Sequence, residues 1–266
     1  MLPFEQFPTA DLARVDVVLT DIDDTLTSRG RLPAIVYDAL ERLRAAGFIV
    51  IPVTGRPAGW CDLIARLWPV DAVVGENGAF YFICDRQGGM RRVFAKPDPE
   101  REQDRARLQA LSVTIRKCVP GARISADQPY READLAIDVA EDGPVLSEQE
   151  IDRVLECFTE AGATAKLSSI HVNGWYGTYD KLGMTRRLLA DIFGLDADAD
   201  NARMLFVGDS PNDAPMFGFF QNSVAVANFR EAAGRSAVQP RWITAKPDSA
   251  GFADVAGALV RARALR

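Results

Sequence analysis

Three apolar runs in this chain end abruptly in polar side chains that suit a binding site. The runs cover residues 15–20, 48–53 and 204–207, and they consist mainly of Val, Ile, Leu and Phe without regular polar alternation. Such runs predict strands buried on both faces, as in a parallel sheet covered by helices. Because helix signals separate these strands, the sequence predicts an α/β fold with a Rossmann-like parallel sheet.

The polar residues at the three strand ends are carboxylates, a hydroxyl and a cation. They are Asp21, Asp23, Asp24, Thr54, Arg56, Asp209 and Asp213. Ligands of open α/β sheets gather beyond the carboxyl ends of the strands, so we expect these residues to share one site. Crowded carboxylates repel unless they are protonated or bind a cation, and oxygen ligands suit Mg²⁺ and phosphoryl chemistry. For each motif alone, an Asp-rich turn or helix cap is the alternative.

The strand and helix pattern changes between about residues 82 and 178. There the sequence predicts the order αββαββ, with elements over residues 99–118, 122–126, 133–139, 147–161, 164–167 and 170–176. This order is typical of an antiparallel sheet with helices on one face. We therefore predict a core formed by residues 1–81 and 179–266, and an inserted α+β cap domain formed by residues 82–178.

The composition argues against several classes of partner. The 266 residues carry a formal net charge of -6, which is unfavourable for a nucleic-acid or anionic-membrane surface. No signal peptide or apolar run of bilayer length is evident, so we expect a soluble, cytoplasmic protein. Four cysteines without CxxC spacing favour neither a zinc site nor a disulfide framework.

Four motifs, DIDDTLT, TGRP, YDKLGMTRRLL and GDSPND, occur in this order along the chain. With them the chain resembles, over essentially its whole length, the haloacid dehalogenase superfamily of aspartate-nucleophile phosphohydrolases. The GENGAF stretch at residues 75–80 and the position of the insert resemble the sugar-phosphatase branch, which includes mannosyl-phosphoglycerate, sucrose-phosphate and trehalose-phosphate phosphatases. The resemblance implies a mobile cap that contacts the substrate, and the alternative is a rigid extra domain.

The resemblance implies chemical roles for four residues. Asp21 would attack phosphorus to give an aspartyl-phosphate and would also bind Mg²⁺. Asp23 would protonate the leaving alcohol and then deprotonate the attacking water, while its backbone carbonyl binds the metal. Thr54 would hydrogen-bond phosphoryl oxygens, and Lys181 would hold the phosphate and offset the carboxylates. The alternatives are a helix-capping Thr54 and a solvated Lys181.

The remaining predicted site residues bind metal or substrate. Asp209 would be a second carboxylate ligand of Mg²⁺, and Asp213 either a ligand or a residue that orients one. The candidates for contacts to the substrate are Arg56, Arg131, Ser169, His171, Asn173 and Asn212.

These substrate contacts would differ in chemistry. The two arginines would meet a second anionic group, and Asn212 would contact phosphate or Lys181. Strand alternation places Ser169, His171, Asn173 and Trp175 on one face, where the polar groups could bind sugar hydroxyls and the indole ring could stack on a sugar. An ordinary solvent-facing strand is the alternative.

The sequence thus predicts a magnesium-dependent phosphatase that hydrolyses a small phosphorylated sugar or sugar derivative. One alternative is a phosphosugar mutase of the same superfamily, which net phosphate release would distinguish. Another is a non-catalytic phosphosugar-binding protein, which would be expected to lose part of the catalytic set that this chain retains. The expected partner is a small phosphorylated molecule, and the oligomeric state is left open.

Overall fold

Strands and helices alternate along most of the computed structural model, which describes residues 1–85 and 89–266. The strands are β1 (Leu2–Pro3), β2 (Val17–Thr20), β3 (Ile49–Pro52), β4 (Val73–Gly75), β5 (Phe80–Cys84), β6 (Met90–Phe94), β7 (Arg123–Ile124), β8 (Leu135–Asp138), β9 (Thr164–Leu167), β10 (His171–Trp175), β11 (Met204–Gly208), β12 (Asn222–Ala225) and β13 (Trp242–Ile243). The helices are α1 (Thr9–Arg14), α2 (Ala34–Ala45), α3 (Ala58–Leu67), α4 (Asp98–Cys118), α5 (Glu148–Glu160), α6 (Lys181–Leu188), α7 (Ala214–Phe219), α8 (Phe229–Ala232) and α9 (Asp248–Arg263). Across the described ranges, no helix is both long and apolar enough to cross a membrane.

A parallel sheet in the order β1-β13-β12-β11-β2-β3 forms the centre of the fold. In its middle, Val18 of β2 lies opposite Leu205 of β11 on one side and Val50 of β3 on the other. The three apolar runs are therefore neighbouring strands, and their carboxyl ends meet at one edge. The predicted α/β class is confirmed.

Apolar side chains cover both faces of this sheet. Val18 and Leu205 pack with α2 and α9, whereas the adjacent residues Leu19 and Phe206 pack with α6 and α7. Successive side chains of a strand point to opposite faces, so a continuous apolar run is what two covered faces require. Burying each such side chain contributes about 1.5–3 kcal/mol, which makes these strands a rigid base for the residues that follow them.

A hairpin extends the sheet and shifts the predicted domain boundary. β4 lies beside the end of β3, to which a parallel β-bridge between Val53 and Val74 joins it. β5 pairs with β4 on one side and with β6 on the other. Phe80, Phe82 and Phe94 of this hairpin pack in the core. The predicted boundary at residue 82 falls inside β5, so we place the start of the insert near residue 97; residues 86–88 of the predicted cap range lie outside the described residues.

The insert is a four-stranded antiparallel sheet in the order β7-β8-β10-β9, with α4 and α5 on one face. Ile115 and Phe158 of the helices pack against Ile137 and Val172 of the strands. The elements follow each other in the predicted order αββαββ. Because the helices cover the apolar face, the opposite face of β10 is free to meet the core.

Candidate active site

Buried carboxylates meet at the carboxyl ends of β2 and β11. Asp21 follows β2, and its backbone N–H donates to the carbonyl of Val207 at 2.9 Å. Asp209 follows β11, and Asp213 lies four residues further along the same loop. One carboxylate oxygen from each of these three aspartates lies within 4.8 Å of the others. The strand ends therefore gather the carboxylates for which metal binding is predicted.

Gly208 lets the loop after β11 fold back on itself. A Cβ atom at this position would lie 2.4 Å from Oδ2 of Asp213. That oxygen accepts hydrogen bonds from the backbone N–H groups of Asp209 at 3.1 Å and Ser210 at 3.3 Å, and Oδ1 accepts one from Lys181 at 2.8 Å. Both oxygens of Asp213 thus face N–H donors, which favours the orienting role over direct metal ligation.

Lys181 is buried in the middle of the cluster at the first turn of α6. Its Nζ lies 2.7 Å from Oδ1 of Asp21 and 3.4 Å from Oδ1 of Asn212. The GENGAF loop packs against this helix start through Gly78, where a Cβ atom would lie 2.0 Å from the carbonyl oxygen of Asp180. With 2% of its surface exposed, Lys181 is not the solvated lysine that was its alternative.

The cluster contains more acidic than basic groups, and burial and mutual repulsion shift their pKa values. Burial raises the pKa of Asp21 to about 8, repulsion from Asp213 and Asp23 adds to this, and Lys181 opposes it. Burial also raises the pKa of Asp209 well above its usual range, with repulsion from Asp21 and Asp213. Burial works against the charge of Lys181, but Asp21 and Asp213 together raise its pKa. Three carboxylates around one ammonium leave excess negative charge, which a bound cation would neutralise.

Two residues outside the predicted set support Asp209. Thr25 donates to Oδ1 of Asp209 at 3.3 Å, and Nδ2 of Asn228 lies 3.5 Å from Oδ2. Asn228 also donates to the carbonyl of Asp24 at 3.0 Å, so it links the loops after β2 and β12. Thr25 belongs to the first motif, whereas nothing in the sequence around Asn228 distinguishes it from a turn residue.

Asp23 pairs with Arg56 at the edge of the carboxylate cluster. Nε and Nη2 of Arg56 lie 2.9 and 2.7 Å from Oδ1 of Asp23, and the guanidinium stacks 4.3 Å from the centre of the Trp60 ring. Nη2 also lies 2.7 Å from Oε1 of Glu141 in the insert. Arg56 is thus already paired where a second anionic substrate group was predicted.

Thr54 is buried just beyond β3. Its Oγ1 accepts a hydrogen bond from the backbone N–H of Arg56 at 3.0 Å, while the N-cap of α3 is Pro57. A hydroxyl that accepts one hydrogen bond keeps its own proton to donate. The arrangement is compatible with a phosphoryl contact, which stays a prediction.

The polar face of β10 is buried, so the alternative of a solvent-facing strand is wrong. Asn173 donates to Oδ2 of Asp134 at 2.9 Å, and Nε2 of His171 lies 2.8 Å from Oε2 of Glu141. Trp175 is buried, stacks on Tyr179 and donates its indole N–H to that residue's carbonyl oxygen at 3.2 Å. Its ring is therefore not available to stack on a sugar.

Arg131 is buried between the insert and the core. Its guanidinium pairs with Asp127 at 2.8 Å and Asp134 at 2.9 Å, and it donates to the carbonyl of Gly55 at 2.9 Å. These contacts occupy its three guanidinium nitrogens. We therefore assign Arg131 to holding the loop after β3, in place of the predicted contact with a substrate anion.

A cavity of about 430 Å³ opens beside the carboxylates, between the strand ends and the tip of the β9–β10 hairpin. Its polar lining includes Asp24, Arg29, Ser168, Ser169, Asp209, Asn228 and Arg235. Ser169 is the predicted substrate-binding residue that lies at this cavity. The cavity thus joins residues of the core and of the insert next to Asp209.

Glu76 of the GENGAF loop anchors the insert to the core. Its carboxylate accepts backbone hydrogen bonds from Ala58 at the start of α3 and from residues 132–134 of the insert, at 2.6 to 3.2 Å. Burial, with repulsion from Asp134, raises the pKa of Glu76 to about 8 even though Arg131 and these N–H groups oppose the shift. This contact was not predicted, because the motif carries no information about its partner.

We expect Glu76→Ala to lower the free energy of unfolding by about 2–4 kcal/mol, because the buried backbone N–H groups that donate to its side-chain oxygens would lose their acceptors. Urea unfolding followed by circular dichroism measures the loss. Glu160→Ala, at an exposed ion pair with Arg153, is the control and should change stability by less than about 0.5 kcal/mol. Equal effects of the two substitutions would contradict the anchoring role.

The motif after β11 also carries a family match. The model of the haloacid dehalogenase-like hydrolases matches residues 195–255, which include Asp209, Asp213 and Asn228. This part of the chain is therefore similar to the haloacid dehalogenase-like hydrolases, and the fold and the buried Asp21–Lys181 pair agree with the match. The predicted resemblance to this superfamily is confirmed.

Known proteins resemble this chain along most of its length. It is 28% identical over 217 residues to the phosphoglycolate phosphatase of Haloarcula marismortui, covering 81% of this chain and 86% of the relative. Its fold is similar to that of a HAD subclass IIB sugar phosphatase, with a TM-score of 0.61, 16% identity and coverage of 90% and 97% of the two chains. A trehalose-6-phosphate phosphatase related protein is similar as well, with a TM-score of 0.61, 15% identity and coverage of 92% and 97%.

Proposed function

We propose that this hydrolase is a magnesium-dependent phosphatase that releases phosphate from a small phosphorylated sugar or sugar derivative through an aspartyl-phosphate on Asp21. The observation that carries the proposal is the buried Asp21 carboxylate, held 2.7 Å from Lys181 and beside Asp209 at adjacent strand ends. A phosphatase also agrees with the family and with the activity named for the haloarchaeal relative.

The residues of the carboxylate cluster fit a divalent cation. Oxygen ligands and excess buried negative charge are what Mg²⁺ sites provide, and we propose Asp21, Asp209 and the backbone carbonyl of Asp23 as ligands. When bound, the metal would neutralise charge on the carboxylates and on the phosphoryl oxygens. Asp213 would hold Lys181 and the loop after β11 in place.

The proposed reaction uses two carboxylates in different roles. Asp21 forms a bond to phosphorus while the bond between phosphorus and the leaving oxygen breaks, and Asp23 gives that oxygen a proton. Asp23 then takes a proton from the water that attacks the aspartyl-phosphate, which releases inorganic phosphate and restores Asp21. Lys181 and Thr54 hold the phosphoryl oxygens during both steps.

The size and the polar lining of the cavity beside Asp209 suit a small polar leaving group. Its volume lies in the range of small-molecule sites, and it combines hydroxyl, carboxylate, amide and guanidinium groups. Such groups can donate hydrogen bonds to sugar hydroxyls and accept hydrogen bonds from them. We therefore propose that the leaving group occupies this cavity and contacts Ser169 at the tip of the insert.

Release of inorganic phosphate tests the proposal. A panel of phosphorylated sugars and sugar acids, including phosphoglycolate, is assayed with and without Mg²⁺, and Asp21→Asn is the blank. Magnesium-dependent release from a narrow group of compounds is the expected result. Conversion of a sugar phosphate to its isomer without net release would favour the mutase, and no reaction of a folded protein would contradict both.

We expect Mg²⁺ to raise the melting temperature more at pH 8 than at pH 6. The raised pKa values of Asp21 and Asp209 mean that the metal-free folded state binds protons that the unfolded state, with pKa values near 4, has already released. Metal-free stability therefore falls as the pH rises from about 4 to about 8. Thermal unfolding in EDTA and in Mg²⁺ at several pH values measures this, and a pH-independent difference would argue against metal binding by these carboxylates.

A further inference from the structure

The insert reaches the predicted general acid through one guanidinium. Nη2 of Arg56 lies 2.7 Å from Oδ1 of Asp23 in the core and 2.7 Å from Oε1 of Glu141 in the insert. The two carboxylates share this donor atom, so they lie within two hydrogen-bond lengths of each other. A residue of the insert thus stands next to the group that would protonate the leaving oxygen.

Glu141 is held in this place from two sides. Asp138, at the end of β8, accepts hydrogen bonds from the backbone N–H groups of residues 140–142 at 2.8 to 3.1 Å. Nε2 of His171 lies 2.8 Å from Oε2 of Glu141. Burial would raise the pKa of Glu141, but hydrogen bonds from His171 and Arg56 lower it to about 2. Glu141 is therefore a fixed negative charge at neutral pH.

Arg56 connects Glu141 to Asp23 and restrains the orientation of the Asp23 carboxylate. The guanidinium has 3% of its surface exposed, stacks on Trp60 and contacts Asp23 through both Nε and Nη2. Two parallel hydrogen bonds fix the direction of a carboxylate as well as its distance. Asp127, Glu141 and His171 are also close enough to share a cation, but the guanidinium already supplies the positive charge at this place.

We propose that Glu141 is a positioning residue, which fixes Arg56 so that Arg56 directs the carboxylate of Asp23 towards the leaving oxygen. This inference rests on the proposed function, in which Asp23 donates its proton as the bond from phosphorus to the leaving oxygen breaks and the bond from Asp21 forms. An alkoxide or phenolate leaving group needs that proton, whereas p-nitrophenolate leaves readily without it. A role in proton transfer therefore depends on the leaving group, and a role that only stabilises the fold does not.

The test compares Glu141→Gln with Asp104→Asn on glucose 6-phosphate, phenyl phosphate and p-nitrophenyl phosphate. Asp104 of α4 pairs with Lys96 of the core at 2.5 Å, so its substitution weakens the contact between insert and core without involving Arg56 or the cavity beside Asp209. The measured quantity is kcat/KM, which covers the steps up to the first phosphoryl transfer and is not affected by later hydrolysis of the aspartyl-phosphate. Asp23→Asn shows how kcat/KM for the three esters changes when the general acid is removed.

We expect Glu141→Gln to lower kcat/KM about 10- to 100-fold for glucose 6-phosphate and phenyl phosphate, and less than about 3-fold for p-nitrophenyl phosphate. Asp23→Asn should affect the three esters in the same order, with larger losses. Asp104→Asn should leave all three values unchanged. If Glu141→Gln does not fold, Glu141→Asp keeps the charge, shortens the side chain and should show the same order.

Two results would overturn the inference in different ways. Equal losses on all three esters, or the same losses in Asp104→Asn, would mean that Glu141 only holds the insert to the core. A folded wild-type protein that releases no phosphate from these three esters or from any compound of the sugar phosphate panel would instead overturn the proposed function, and the inference with it.

Discussion

Asp21→Asn is expected to reduce phosphate release to the blank, a loss of about 10⁴-fold or more, while the fold is retained. Asparagine has the shape of aspartate, but its amide is a poor nucleophile and does not form the acyl phosphate. The substitution also removes a buried carboxylate whose pKa is raised by burial and by repulsion from Asp213 and Asp23. Loss of activity should therefore come without loss of metal-free stability.

Phosphate release and thermal unfolding in EDTA, measured on the same preparation, check both parts of this expectation. Asp191→Asn, the same chemical change at an exposed position, is the matched control and should retain full activity. Undiminished activity of a folded Asp21→Asn protein would remove Asp21 as the nucleophile. A clear loss of stability in EDTA would show that the charge of Asp21 stabilises the fold, against the direction of its pKa shift.

Lys181→Met should have the second largest effect, because it changes both chemistry and stability. Loss of the ammonium removes the positive charge that faces Asp21 at 2.7 Å and Asp213 at 2.8 Å. We expect phosphate release to fall about a thousandfold, since a phosphoryl contact is lost. Removing one partner from a buried ion pair leaves uncompensated charge, so stability should fall by about 3–5 kcal/mol in EDTA at pH 8.

Lys96→Met provides the control for this change. Lys96 pairs with Asp104 at 2.5 Å but is partly exposed, so its loss should cost much less and leave activity intact. Urea unfolding at pH 6 and pH 8 separates the cases further, because protonation of Asp21 relieves the repulsion at the lower pH. Equal destabilisation by both substitutions, or a Lys181→Met protein with wild-type turnover, would contradict the assigned position of Lys181 in the site.

The strands that support the site could be predicted because burial on both faces permits few other structures. The apolar runs before Asp21 and Asp209 correspond to β2 and β11, and residues 99–118, predicted as a helix, correspond closely to α4 (Asp98–Cys118). Two short strands could not be predicted, because so few residues show no pattern of burial. β1 (Leu2–Pro3) and β13 (Trp242–Ile243) have two residues each, too few to show a period.

Contacts between the insert and the core could not be predicted. Arg56 and Arg131 were expected to meet a substrate anion, but Arg56 pairs with Glu141 of the insert and Arg131 donates to the carbonyl of Gly55 in the core. Strand alternation placed Trp175 on the correct face, yet its stacking on Tyr179 depends on how the chain returns to α6. Periodicity fixes which face a side chain occupies and contains no information on which loop packs against it.

The separation of the site residues along the chain has a consequence for how the protein reaches its native state. Thr25 and Asp209, which share a hydrogen bond, are 184 residues apart, and Asp21 and Lys181 are 160 apart. The insert makes its own sheet and apolar cluster from the residues between them. Since distant contacts carry the larger loop-closure cost, we expect the insert to acquire structure early and the pairing of β2 with β11 to form late during refolding. Catalytic competence would then be among the last properties to return after dilution from denaturant.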